Sequence, residues 1–441
     1  WLKVLLRSSG LPPFFTEQRR FELRAAMARK VRVLSHEFSH TLLWVDPVAT
    51  VTFFAGKAPV DAFRQQLKAV VAANPWLGAR FTLSLEGKPQ LALHVPEVVE
   101  IDDVFVDSDL ALDARMSYGD LLSAWQPTML CSALQTVLRN GPLFRVSISR
   151  VGEDRFALIV EMNHILGDGC PFYSIYGMMN PGAPVTALTP DRNVEFTKAS
   201  RHFNGGFDVT FALPLLRVHG IQSGLGALQT FCRGVAWEPT LCEVDSDWVE
   251  QQKREHDPSS GVDFVSTNDV LTSALLNSSG VSYGVAPVDL RGKLDSLGKS
   301  DAGNYWRPQE FLPEEFQTPA GVRKVLLAAG GGDKLEGHSK RRTTFQQWSR
   351  IGVVTNWTRF YRELPLPGCT ELRHMPLMRS KQVAQAYFVV FRPSRDKIAV
   401  WASVRDDVAM AALKQSPMFA GTVSPRFEDR LPLLAGTEHS L

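Results

Sequence analysis

The sequence predicts an α/β protein built as two similar lobes with a connection between them. Three observations carry that expectation. The chain has 441 residues, 44% of them hydrophobic and 21% charged, an ordinary globular composition in a chain longer than one hydrophobic core usually serves. In both halves, short runs with a period of two alternate with longer runs at helical spacing. Between about residues 180 and 235 both patterns fade, while Pro, Gly, Thr and Asn become frequent. The expected division is 1–180 for the first lobe, 181–235 for a crossover or linker, and 236–441 for the second lobe.

The elements justify this in order. Residues 14–30 have helical spacing with a basic face, and 48–55 are rich in β-branched and aromatic residues, as strands are. A helix is expected from Pro59 to Ala73, with proline at its start and Asn74-Pro75 at its end. Strands at 79–84 and 89–94, joined through Glu86-Gly87, precede a helix over 119–138. Residues 143–150 alternate apolar and polar, 156–162 continue as a second strand, and Gly152-Glu153-Asp154 turns between them. Helical spacing resumes at 171–179. In the second half, a helix begins after Ser266 with Thr267, Asn268 or Asp269 as N-cap. Strands are expected at Val281–Val288 and Ile351–Thr355, and as a pair at 383–391 and 397–404. The stretch Ala328–Lys334 reads as a glycine-rich loop; without Gly-Lys-Ser/Thr it is not a phosphate loop.

Composition also narrows the function. The formal net charge of +2, from 48 basic and 46 acidic residues, gives no basic footprint for nucleic acid. No apolar run reaches the ~18 residues that suggest a membrane span. The five cysteines are scattered and form no Cys-x-x-Cys pair, so neither a disulfide framework nor a zinc knuckle is expected. Sparse cysteine use fits a reducing, intracellular compartment, cytoplasmic or organellar, and a monomer is expected. The sequence opens on Trp1, so no targeting segment is read from it.

The chemistry concentrates in His164-Ile165-Leu166-Gly167-Asp168-Gly169, at the end of the strand over 156–162. In acyl transfer from a thioester, the accepting alcohol or amine must lose a proton as it attacks. An imidazole, whose ordinary pKa is ~6.5, is suited to take that proton at neutral pH. Asp168 then has a structural task, folding back to pair with an arginine. Gly167 and Gly169 let the chain turn beside the substrates without obstruction.

The surroundings of these six residues closely resemble the chloramphenicol-acetyltransferase-like superfamily, which includes plant-type (BAHD) alcohol acyltransferases, wax-ester synthases and condensation domains. Leu143–Gly169 carries the strand pair and histidine motif. Asn74-Pro75-Trp76-Leu77-Gly78-Ala79-Arg80, Ser266-Thr267-Asn268-Asp269, Val288-Asp289-Leu290-Arg291, Gly303-Asn304 and Thr355-Asn356-Trp357 follow in the order of BAHD counterparts, over roughly residues 45–410. Few of these pieces are specific singly; their order and spacing are. The resemblance implies mixed sheets flanked by helices in each lobe and an active-site tunnel between lobes. It implies His164 as general base and Asp168 as loop clamp, with Arg291 its best candidate partner. Thr355 and Trp357 would face the reacting carbonyl, where one oxyanion donor contributes ~3 kcal/mol. Gly169 and Asn304 would support the site.

The same resemblance implies a coenzyme A thioester as co-substrate, no permanently bound cofactor or metal, and a small-molecule donor and acceptor. The sequence departs from BAHD members at Leu366-Pro367-Gly368-Cys369-Thr370, where they carry Asp-Phe-Gly-Trp-Gly. Asn163 replaces the second histidine typical of condensation and wax-ester branches, which favours alcohol acyltransferase chemistry. Rival readings are a carrier-protein-dependent condensation enzyme and a non-catalytic scaffold subunit with a protein partner.

Other signals are weaker. His36-Glu37-Phe38-Ser39-His40 matches the His-Glu-x-x-His zinc pattern but precedes a strand-and-turn stretch and lacks a third ligand. It is read as a polar lead-in to the first strand. Cys170 is read as a buried filler rather than a nucleophile, and Lys340-Arg341-Arg342 as solvated loop charge rather than a coenzyme A phosphate contact.

Overall fold

A computed structural model describes residues 29–34, 36–37, 42, 45–84, 90–193, 195–196, 239–330, 350–379 and 384–419. Of the helix expected over 14–30, residues 14–28 lie outside them, and Arg29 and Lys30 are not helical but open a strand, Arg29–Arg32, that pairs along Gln90–Val95. The turn at Glu86-Gly87, residues 331–334 of the glycine-rich loop and most of the 181–235 connection also lie outside the described residues.

Alternation along the strands explains the layering. A first sheet has the order β12 (Thr370–Pro376), β2 (Val48–Ala55), β7 (Arg155–Met162), β6 (Phe144–Val151), β5 (Phe105–Ser108). Its pairs are antiparallel except β5 with β6, so the sheet is mixed. On β7, Phe156, Leu158, Val160 and Met162 enter the core of the first half, while Ala157 and Ile159 face the opposite way into a second core. The second sheet has the order β10 (Trp306–Phe311), β9 (Tyr283–Asp289), β11 (Ile351–Asn356), β13 (Ala386–Ser394), β14 (Lys397–Val404), β8 (Thr240–Glu243). It too is mixed, with β11 parallel to both neighbours. On β13, Phe388 and Val390 enter the core of the second half, whereas Val389 and Phe391 join Ala157 and Ile159 in the shared core. Period-two geometry thus gives each central strand two buried faces and leaves a common apolar layer between the halves. A third sheet, β1 (Arg29–Arg32), β4 (Gln90–Val95), β3 (Arg80–Ser84), is purely antiparallel.

Helices flank these sheets: α1 (Val60–Ala73), α2 (Tyr118–Trp125), α3 (Ala133–Arg139) and α4 (Gly169–Met178) in the first half. In the second half are α5 (Ser246–Arg254), α6 (Thr267–Ser278), α7 (Pro313–Phe316), α8 (Pro319–Gly330) and α9 (Asp407–Lys414). The single helix expected over 119–138 is two. Pro127 has no N–H to continue the ladder, and the Trp125 carbonyl accepts from Thr128 N at 3.0 Å and from the Thr128 hydroxyl at 2.9 Å, closing the helix. The N-cap of α6 is Ser266, one residue before the three expected candidates, in a reciprocal capping box with Asp269. Ala328–Gly330, expected in a loop, close α8. Strands β1, β5, β8, β10 and β12 escaped the sequence pattern. Three of them are four residues long, β10 tolerates Pro308 because it lies at a sheet edge, and β12 carries Arg373 and His374 at buried positions.

Candidate active site

His164 follows β7 directly, and the turn beyond it is made by Asn163. The Asn163 carbonyl accepts from Leu166 N at 2.9 Å and its side-chain oxygen from Ile165 N at 3.2 Å. The residue that replaces a second histidine is therefore a turn former with its carboxamide oxygen engaged. Asp168 then caps α4, its Oδ1 accepting from Cys170 N at 3.0 Å.

Two arginines fasten this loop to distant chain. Arg291, at the end of β9, has a side chain only 1% exposed. Its Nη1 donates to both Asp168 oxygens at 3.1 and 3.0 Å and to Asp289 Oδ1 at 3.0 Å. Its Nε and Nη2 donate to the carbonyls of Asp301 and Gly303 at 2.9 and 2.8 Å. Burial opposes the guanidinium charge, yet Asp168, Cys170 and Asp289 outweigh it and hold the Arg291 pKa above its ordinary value. Asp168 Oδ2 also accepts from Tyr305 N at 3.0 Å. Arg192 grips the other side. Nη2 donates to the Ile165 and Leu166 carbonyls at 2.8 and 3.2 Å, Nη1 to Pro190 and Ala302 at 2.9 and 3.2 Å, and Nε to Glu37 Oε2 at 2.8 Å. Every N–H of that side chain is placed.

The segment Asp301–Tyr305 is the common anchor. Gly303 has φ +128 and would press a Cβ against the Arg192 side chain at 3.1 Å, so both backbone and space require glycine there. Gly167 sits against the same segment, and its Cβ would meet Pro171 Cγ at 2.4 Å. Gly169 is less constrained, since its Cβ would make ordinary contact with Phe360 at 3.4 Å.

Asn304 touches the histidine itself. His164 Nδ1 lies 3.1 Å from Asn304 Oδ1, and Asn304 Nδ2 donates to the His164 carbonyl at 2.9 Å and to Glu37 Oε1 at 3.0 Å. Two acceptors around Nδ2 fix the orientation of the amide, so its oxygen faces the ring. His164 Nδ1 must then carry the hydrogen and donate it, which leaves a lone pair on Nε2. No described residue hydrogen-bonds Nε2. Burial lowers the His164 pKa below its ordinary value against the opposing pull of its own carbonyl, Asp168, Asn304 and Glu37. The ring is neutral at pH 7 and basic at Nε2, as a proton acceptor must be.

Glu37 and Arg192 are the members that sequence reading missed. The signal for Glu37 was present in the His-Glu pair, although the zinc pattern pointed elsewhere. His36 Nε2 is 2.8 Å from the Asn304 carbonyl, which only an N–H can satisfy, and Glu37 is fully enclosed by N–H donors. Both side chains are thus committed to Asn304 rather than set out as a zinc ligand and a water activator; His40 lies outside the described residues. Arg192 fell where the sequence pattern faded.

The remaining candidates are placed as follows. Thr355 is buried on β11, and Trp357 lies just beyond it, packed against both the first-half core and the shared core. The Trp357 ring meets Tyr173 edge-on at 6.2 Å. No hydrogen bond joins Thr355 or Trp357 to His164 among the described residues. Burial pushes the Cys170 thiol up to about 11, the opposite of an activated nucleophile. Gly368, the survivor of the departed pentapeptide, adopts φ +70, a conformation that favours glycine. Lys340, Arg341 and Arg342 lie outside the described residues. A cavity of about 430 Å³ opens in the second half beside Asn277, Val281, Pro313 and Phe316, none of which belongs to the histidine's surroundings. Among the described residues no helix is long and apolar enough to cross a membrane.

No protein-family model and no curated protein matches the chain. Solved structures do. TRI101 of F. sporotrichioides, complexed with coenzyme A and T-2, is similar over 88% of this chain and 97% of that one, with TM-score 0.60 and 12% identity. Polyketide synthase associated protein 5 from Mycobacterium tuberculosis is similar over 89% and 98%, with TM-score 0.57 and 13% identity. The condensation domain from Monacolin K polyketide synthase MokA is similar over 88% and 96%, with TM-score 0.56 and 12% identity. These likenesses establish the fold: the two-lobed architecture of those structures, with mixed sheets flanked by helices, as the sequence resemblance implies.

Proposed function

We propose that this chain transfers an acyl group from a coenzyme A thioester to an alcohol or amine, with His164 as general base. The observation that carries the reading is the wiring of His164, with Nδ1 donating to Asn304 Oδ1 and Nε2 left basic. Nε2 takes the acceptor's proton as the acceptor's oxygen or nitrogen attacks the thioester carbonyl. Collapse of the tetrahedral intermediate breaks the C–S bond, and the same proton passes from Nε2–H to the departing thiolate. No enzyme-bound acyl group is needed. Asp168 and Arg291 hold the loop and stay out of the proton transfer. Thr355 and Trp357 serve as donors to the developing oxyanion. Similarity to a protein solved with coenzyme A and T-2 supports the donor and the small-molecule acceptor.

The test is acyl-CoA consumption against a panel of alcohols and amines, with wild type and His164→Ala. A fall of ~10²–10⁴-fold in the variant is expected. Equal rates, or no turnover by wild type with any pair, would overturn the reading. The likeness to condensation domains favours one second reading, a carrier-protein thioester as donor. The same assay with a pantetheinylated carrier protein separates the two.

A further inference from the structure

Glu37 has no place in the acyl-transfer scheme above, yet it is as heavily engaged as Asp168 in the surroundings of His164. Four N–H groups converge on it: Leu34 N and Arg192 Nε on Oε2, both at 2.8 Å, and Asn304 N and Nδ2 on Oε1, both at 3.0 Å. Asn304 in turn is held at every polar atom. It donates to Glu37 and the His164 carbonyl, and its own carbonyl accepts from His36 Nε2 at 2.8 Å. Its remaining atom, Oδ1, faces His164 Nδ1. A half-turn of this amide would set its oxygen against the Glu37 carboxylate and the His164 carbonyl. That rotation is excluded chiefly because Glu37 carries a full negative charge. The charged and titratable groups facing Glu37 and His164 are consistent with this. Arg192 and His36 lie against Glu37, and Asp168 and Glu37 lie near the ring.

We propose that Glu37 is a positioning residue: through Asn304 it holds His164 as the Nδ1–H tautomer and keeps Nε2 free to accept a proton. The chain Glu37–Asn304–His164 does through an amide what a carboxylate does directly in a catalytic triad. Free histidine favours the other tautomer, so the wild-type state is informative. The inference rests on His164 as the base, but its test does not need turnover. Nitrogen-15 histidine NMR of the whole protein at neutral pH distinguishes a protonated Nδ1 from a protonated Nε2, with His164 assigned by its absence in His164→Gln.

Wild type is expected to show His164 as Nδ1–H. Glu37→Gln is expected to shift most of it to Nε2–H, while kcat falls at least about tenfold and KM for acyl-CoA stays within about twofold. Should Glu37→Gln not fold, Glu37→Asp keeps a charge for Arg192 while drawing the oxygens back from Asn304, and the same shift is expected. A wild-type ring protonated on Nε2, or a ring still Nδ1–H in a folded Glu37 variant, would overturn the proposal. A tautomer shift in a protein that turns over no thioester would uphold Glu37 as the positioner and sink the acyltransferase reading alone.

Discussion

The part-buried His164 and the buried His374 both border helix α4, and they are wired in opposite ways. His374 lies on β12, where Nδ1 is 2.9 Å from the Thr52 hydroxyl and Nε2 is 2.9 Å from the Tyr173 hydroxyl. Tyr173, Tyr176 and Tyr361 pack around its ring at 5.7, 5.2 and 5.7 Å. Burial pushes its pKa down to about 3. His164 has one nitrogen tied to an amide and the other without a described partner. The contrast teaches what separates the two: in His164 one nitrogen is fixed and the other left unclaimed, the arrangement the proposed base requires, whereas full satisfaction leaves His374 a structural role.

The largest expected effect tests that contrast directly. His164→Ala should lower kcat/KM for acyl transfer by ~10²–10⁴-fold while the melting temperature moves by only a few degrees. His374→Ala should do the reverse, lowering the melting temperature while the folded fraction keeps its turnover within about threefold. Steady-state kinetics beside thermal melts would break the comparison if the two variants exchanged phenotypes.

Next in size is Asp168→Ala. It strips Arg291 of one carboxylate and leaves Tyr305 N and Cys170 N without their acceptor. Breaking a buried pair this way costs ~3–5 kcal/mol, and the surviving Asp289 contact keeps this case near the lower end. Urea unfolding with an unchanged m-value would measure it.

Acidification gives a third handle. His374 titrates near 6.5 when unfolded and about 3 when folded, so between those values the unfolded chain binds the extra proton. Its contribution to stability is complete above ~6.5 and is lost as pH falls, by up to ~1.4 kcal/mol per pH unit. His374→Gln should flatten the stability profile between pH 6 and 4, read by denaturant melts at each pH. An unchanged slope would reassign the effect to other groups.

The smallest contrast lies within the histidine loop. Gly167→Ala drives a methyl onto Pro171 and should cost ~1–3 kcal/mol, whereas Gly169→Ala, with only ordinary contact to Phe360, should stay within ~0.5 kcal/mol. Equal costs would mean that Pro171 yields easily.

What the sequence disclosed follows physical lines. The doubly buried strands β7, β13 and β14 announce themselves by unbroken apolar character, and α6 by its capping residues. Arg291 was visible because it stands two residues after Asp289 in a motif of fixed order. Glu37, Arg192 and His374 were not, because their meaning lies in partners 267, 155 and 322 residues away along the chain. Strand β12 was hidden for a related reason: its polar Arg373 and His374 look solvent-facing until the opposing hydroxyls and tyrosines are known.

That strand also sets a timetable. β12 completes the first sheet by pairing with β2, Thr370 opposite Ala55 and Pro376 opposite Thr50. A nascent chain emerging from the ribosome can pair β2 with β7 once Met162 is out. The other edge of β2 stays open until some 200 further residues have been made. During that interval the edge is a template for any extended segment that reaches it, including one from a neighbouring chain. Pairings this remote also slow folding. The first sheet is thus begun with β2 and finished only when β12 has been made.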